Sequence, residues 1–183
     1  MGSYFLDGVN DPINTGASIS TIHDNFDAGT IEPARWNLPA SHGYSDVDGR
    51  LDLDPTDSYI VSFEVWSLPV SAAVYVRSWP DTGTGDSFFG IATPEGDTIE
   101  FRYTGGTLHF NCSSPVETSS ISYDDVAHAW WRIRREGAQI AFYTAPTSGN
   151  LVGPGSWTRR YLTTLSPDFL EEQNFFVYAG ASG

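Results

Sequence analysis

Apolar and polar residues alternate along this chain in short runs, and clusters of Gly, Pro, Asn and Asp separate the runs. That is the pattern of an all-β chain with many turns. Strand character is strongest at 22–26, 34–38, 50–53, 59–66, 72–79 and 87–92. It returns at 98–103, 107–112, 129–135, 139–144, 157–163 and 175–181. Within 59–66, Tyr59, Val61, Phe63 and Val65 share one face while Ile60, Ser62, Glu64 and Trp66 share the other, so one face of the strand is core. Three hairpins are readable: Pro94-Glu95-Gly96-Asp97, Thr104-Gly105-Gly106 and Glu136-Gly137-Ala138 each join two runs. A single helical turn is predicted over 166–171, with Ser166 as cap and Pro167 in the first helical position.

About a dozen short antiparallel strands, each with one apolar face, hide those faces by stacking as two sheets. The predicted architecture is an all-β, two-sheet antiparallel jelly-roll sandwich over 22–183. Residues 1–21, rich in Gly, Asn, Asp and Ser, read as an extended N-terminal arm or linker. The length of 183 residues suits one such domain, and 40% hydrophobic with 14% aromatic residues supplies its core.

Charge narrows the partners. Nine basic residues, all Arg, stand against 23 acidic ones, for a net charge of -14. That balance repels phosphate, so neither a nucleic acid nor an anionic membrane is expected as a partner. The lone Cys112 forms no internal disulfide and alternates with Leu108 and Phe110, as a small core residue does. No apolar run approaches the length of a membrane span, and no secretory signal pattern opens the sequence.

The run Asp24-Asn-Phe-Asp-Ala-Gly-Thr-Ile-Glu-Pro-Ala-Arg-Trp36, followed by Asp48-Gly-Arg-Leu-Asp-Leu53, resembles the opening of concanavalin A-like lectin and glucanase (LamG-like) jelly rolls. The stretch from His128 through Trp130, Trp131 and Arg132 to Thr144, then Trp157-Thr158, is similar to a hairpin of small lectin-like proteins from actinobacterial genomes and their tailed phages. The resemblance spans 24–182 and implies a virion role: a structural or adhesive minor tail protein, or a head-decorating one. It implies other virion proteins and further copies of the chain as partners, host cell-wall glycans as contacts, and synthesis in the host cytoplasm. A stand-alone carbohydrate-binding lectin is the alternative, with a glucanase-like hydrolase behind it.

Glucanases of that fold carry catalytic carboxylates in a Glu-x-Asp-x-x-Glu run, because retaining hydrolysis needs two carboxyls ~5 Å apart. This chain has no such run; in Asp97-Thr-Ile-Glu100 the two carboxyls fall on opposite strand faces. No Gly-x-Ser-x-Gly elbow accompanies His23, His42, His109 or His128. The expectation is therefore a chain that is not an enzyme, with no catalytic residues and no cofactor.

One face stands out as a contact surface. Alternation over 129–135 places Ala129, Trp131 and Ile133 in the core and Trp130, Arg132 and Arg134 on the other face. In the partner run, Ile140 and Phe142 fit the core, leaving Ala141 and Tyr143 outside. Trp130, Arg132, Arg134 and Tyr143 together suit a glycan or partner contact, since aromatic planes match the apolar side of a pyranose and Arg reaches its hydroxyls. The bland counterpart is a solvated sheet face with Arg stems covering Trp130. Asp46, Asp48, Asp52, Asp54 and Asp57 crowd into 46–57 and have the oxygen chemistry of a Ca²⁺ site. Turn and strand-surface Asp are more often simply solvated, so no metal is assigned. The Gly/Asp loop over 79–86 has the length of a binding loop but names no ligand.

Overall fold

The computed structural model describes residues 36–37, 44–46, 51–53, 58–62, 67–77, 80, 85–113, 116–147, 154–167 and 175–182. The arm over 1–21, the strand over 22–26, the Asp side chains of 46–57, most of the 79–86 loop and the helical turn beyond Pro167 lie outside the described residues. The strands are β1 (Trp36–Asn37), β2 (Tyr44–Asp46), β3 (Leu51–Leu53), β4 (Ser58–Ser62), β5 (Ala73–Arg77), β6 (Asp86–Ala92) and β7 (Thr98–Thr104). They continue as β8 (Thr107–Ser113), β9 (Val116–Ser122), β10 (Trp130–Glu136), β11 (Gln139–Ala145), β12 (Thr158–Thr164) and β13 (Phe176–Ser182). One antiparallel sheet runs β1-β4-β13-β6-β7-β8-β9, a second runs β12-β11-β10-β5, and β2 pairs with β3. The chain is a two-sheet antiparallel jelly-roll sandwich, as the alternation predicts.

The three hairpins form where the turn residues demand. Gly96, Gly105, Gly106 and Gly137 adopt positive φ, the conformation a side chain disfavours in such turns. Between the sheets the core is aromatic. Phe101 of β7 stacks on Trp131 of β10 at 5.4 Å and meets Phe110 of β8 and Phe142 of β11 edge-on at 5.5 and 5.2 Å, so one ring ties its own strand to three others across both sheets. Cys112, Ile133 and Ile140 complete this interior, as their alternation requires.

Two details depart from the sequence reading. Strand β9 was not among the predicted runs: Val-Glu-Thr-Ser-Ser-Ile-Ser offers few apolar positions. It is an edge strand, held by its ladder to β8 and by Glu117, which accepts hydrogen bonds from the Tyr161 hydroxyl at 2.9 Å and from the Thr163 hydroxyl of β12. That contact joins the edges of the two sheets. Ala129, expected in the main core, instead packs with Trp130, Ala145 and Trp157 in a separate cluster on the far side of the small sheet.

Candidate functional site

The large sheet turns one face to the core and the other outward, and the outward face carries a row of side chains in strict register. Tyr178 of β13 lies opposite Gly90 of β6, Gly90 opposite Glu100 of β7, Glu100 opposite Asn111 of β8, and Asn111 opposite Thr118 of β9. Four strand spacings of ~4.8 Å make this row about 19 Å long. Gly90 has no side chain, and that is what connects the row: a Cβ there would lie 2.8 Å from the Tyr178 ring and 2.5 Å from the Ile99 carbonyl oxygen. Tyr178 thus leans across Gly90, and its hydroxyl donates to Glu100 Oε2 at 2.8 Å.

Glu100 is the hub. The residue is 7% exposed, and its Oε1 accepts from Arg102 Nε at 2.9 Å and from Asn111 Nδ2 at 3.2 Å. A buried carboxylate is costly unless donors surround it, and here three side chains from three strands do so. Asn111 Oδ1 then accepts from the Thr118 hydroxyl at 2.8 Å, which carries the chain of hydrogen bonds to the sheet edge. Arg102 reaches the other way, to Asp86 Oδ2 at 3.2 Å, and the Thr104 hydroxyl donates to Asp86 Oδ1 at 2.6 Å. Burial works against the charge on Arg102, but the hydrogen bonds and attraction of Glu100 and then Asp86 outweigh it, so its affinity for the proton rises. Burial, then the charge of Glu100, pushes the Tyr178 hydroxyl well above the ordinary tyrosine range, so it remains a donor.

Aromatic surface borders this polar row. Phe88 packs 6.0 Å from Tyr178, and the Arg102 guanidinium lies 5.1 Å over the Phe88 ring. His109 lies opposite Arg102 on β8 and extends the same face. Asp86 and Glu100 come from different strands, and register with Arg102 brings them together. Sequence reasoning missed this site. The Glu100-x-Arg102 alternation was legible, but the partners on β6, β8 and β13 depend on pairing that no local pattern shows.

The residues singled out from sequence lie on the opposite outer surface, that of the small sheet. Arg132 of β10 faces Tyr75 of β5 on one side and Tyr143 of β11 on the other, and Arg134 is two positions further along. All four thus share a face, as predicted, but they do different things. Trp130 is 7% exposed, covered in the small cluster with Ala145 and Trp157, so its ring is not the accessible one. The Arg132 guanidinium is held between two rings, 4.2 Å from Tyr143 and 4.3 Å from Trp157. The Tyr143 hydroxyl donates to Glu136, whose other oxygen lies 3.4 Å from Arg159 Nη1. Tyr75, which the sequence reading did not single out, is the exposed aromatic here at 47%.

No protein-family model and no curated protein sequence matches this chain. Solved structures do. An uncharacterized protein from Mycobacterium paratuberculosis superposes with a TM-score of 0.50 at 12% identity, over 86% of this chain and 98% of that one. A glycosyl hydrolase family protein from Mycobacterium fortuitum does so with a TM-score of 0.51 at 13% identity, over 86% and 97%. This chain shares their fold. At such identities the likeness shows the sandwich alone. It also corrects one expectation: that the chain is no enzyme rested on the missing Glu-x-Asp-x-x-Glu run, yet a glycosyl hydrolase family protein has the same sandwich. The run is not decisive, because register brings together carboxylates from different strands, as it does Asp86 and Glu100.

Proposed function

We propose that this chain is a carbohydrate-binding jelly-roll module whose sugar site is the outward face of the large sheet. The observation that carries the reading is Glu100: a buried carboxylate on an outward sheet face, fixed by Tyr178, Arg102 and Asn111 and bordered by Phe88. Prearranged acceptors and donors beside aromatic surface are what a sugar needs, since each hydroxyl both donates and accepts while the ring's C–H side is apolar. The row is about 19 Å long, enough for several linked pyranoses rather than one. The sequence resemblance of 24–36 and 128–144 supports placing the module in a tailed-phage particle, as a minor tail or head-surface component that contacts glycans of the host wall.

The test is a glycan array with the whole chain, followed by titration of the best ligand against Glu100→Gln and Asn111→Ala. Each variant is expected to weaken binding at least ~10-fold, the scale of one or two lost charge-assisted hydrogen bonds. Incubation of the same glycan with the protein, read as released reducing ends, reports whether Asp86 and Glu100 also act on the bond. A blank array, or binding indifferent to Glu100→Gln, sinks the proposed site. Mass spectrometry of purified particles that lack this polypeptide would remove the virion assignment.

A further inference from the structure

The small sheet's outer face gathers positive charge in a strongly acidic chain. Arg77, Arg132, Arg134 and Arg159 all occupy outward positions there, four of the nine basic residues in a chain of net charge -14. A bulge opposite Tyr143 displaces Arg160, whose Nε donates to Thr144 Oγ1 at 2.8 Å, and brings Arg159 beside Tyr143. Among the described strand positions of this face Glu136 is the one carboxylate, and Tyr143 and Arg159 already engage it.

Arg134 is set apart by its cross-strand neighbours, Ala73 and Ala141, which put small side chains on both sides of it. Like Arg132 it has no hydrogen bond or ion pair among the described residues, but Arg132 lies between the Tyr143 and Trp157 rings whereas no described ring lies against the Arg134 guanidinium. Next to this shallow floor rises an aromatic wall: Tyr75, edge-on to Trp157 at 6.0 Å and 6.1 Å from Trp130.

We propose that this face is a second binding site, separate from the Glu100 row, for an anionic sugar chain bearing carboxylates. Arg134 takes a uronate carboxylate as a two-pronged fork, Tyr75 stacks beneath a neighbouring ring, and Arg132, rigid between Tyr143 and Trp157, adds fixed positive charge. Size favours a glycan over a protein: four strands spaced ~4.8 Å and about six residues long present roughly 400 Å², half of what a stable protein partner covers. An extended nucleic acid would run on past this patch over a molecule of net charge -14, whereas a short uronate chain stays within it.

The experiment titrates the protein with an α-1,4-linked tetragalacturonate, its fully methyl-esterified form and an octaglutamate peptide, read by tryptophan fluorescence and calorimetry at two salt concentrations. Expected is binding of the free acid that weakens with salt and is at least ~10-fold tighter than that of the ester, the size of a charge-assisted contact. Arg134→Gln and Tyr75→Ala should each weaken it by a similar factor with an unchanged melting temperature, whereas Glu100→Gln leaves it intact. Failure of the Glu100 site therefore leaves this one standing, and the reverse. Absence of binding at ~5 mM tetragalacturonate, equal binding of the ester, or indifference to Arg134→Gln overturns the proposal. Octaglutamate bound as tightly as the uronate, or self-association lost on Arg134→Gln, overturns it in favour of a protein partner.

Discussion

Gly90 shows how much one missing side chain can organise. It leaves room for the Tyr178 ring, and through that ring it orients Glu100. A methyl group at this position collides both with a backbone carbonyl, which cannot swing away, and with the Tyr178 ring, which also packs against Phe88 at 6.0 Å. Gly90→Ala should therefore cost about 1–3 kcal/mol, the range for overpacking, measurable as a lower urea midpoint. It should also weaken glycan binding by moving the Tyr178 hydroxyl off Glu100. Full stability with full binding would show that the ring is not held where the hydrogen-bonded row requires. Trp131 shows the opposite economy: its ring stacks on Phe101, while its Nε1 is buried with no hydrogen-bond partner among the described residues, a cost accepted for packing.

Between strands, the segment that hands the chain from β9 to β10 is a tight turn closed from both ends. The Asp124 N–H donates to His128 Nδ1 at 3.0 Å, the His128 N–H donates to the Asp124 carbonyl at 2.9 Å, and Asp124 Oδ1 accepts from the N–H groups of Ala127 and Val126. His128 must be neutral to accept at Nδ1. Burial, then the nearby Arg160, holds its pKa below the usual 6.5. A depressed histidine contributes stability that is complete above pH 6.5 and is lost as pH falls through the folded-state value. The melting temperature should thus decline from pH 7.5 to pH 5, and decline less in His128→Asn, which keeps an acceptor but does not titrate; equal slopes for both proteins would refute the link. The strand that precedes this turn was illegible in sequence for a physical reason. An edge strand such as β9 buries only half of one face, so its residues need not alternate strongly, and its anchor, Glu117, finds its partners on β12 more than 40 residues away. By contrast, the Gly-bearing hairpins at 96, 105–106 and 137 were legible because a positive φ is a local demand.

Across the whole molecule the charge is uneven. A net charge of -14 keeps copies apart at neutral pH, and the sequence pI of about 4.3 is where that repulsion vanishes. Near pH 4.3 the chain should self-associate, seen as a rise in light scattering that reverses on return to pH 7; a flat trace through the pI would contradict it. Against that acidic background the Arg-rich face of the small sheet and the carboxylate-centred row of the large sheet lie on opposite outer surfaces of one sandwich. The sequence alone determined the fold class, the turns, the core face of most strands and the sharing of one face by Trp130, Arg132, Arg134 and Tyr143, because alternation and turn chemistry act over a few residues. Only the tertiary structure decided which side chains meet: Tyr178, Glu100, Asn111 and Thr118 form one row, Trp130 is covered while Tyr75 is exposed, and Asp86 joins Glu100 through Arg102. Those meetings depend on strand order and register, which arise from packing the whole chain and leave no trace in any single run of residues.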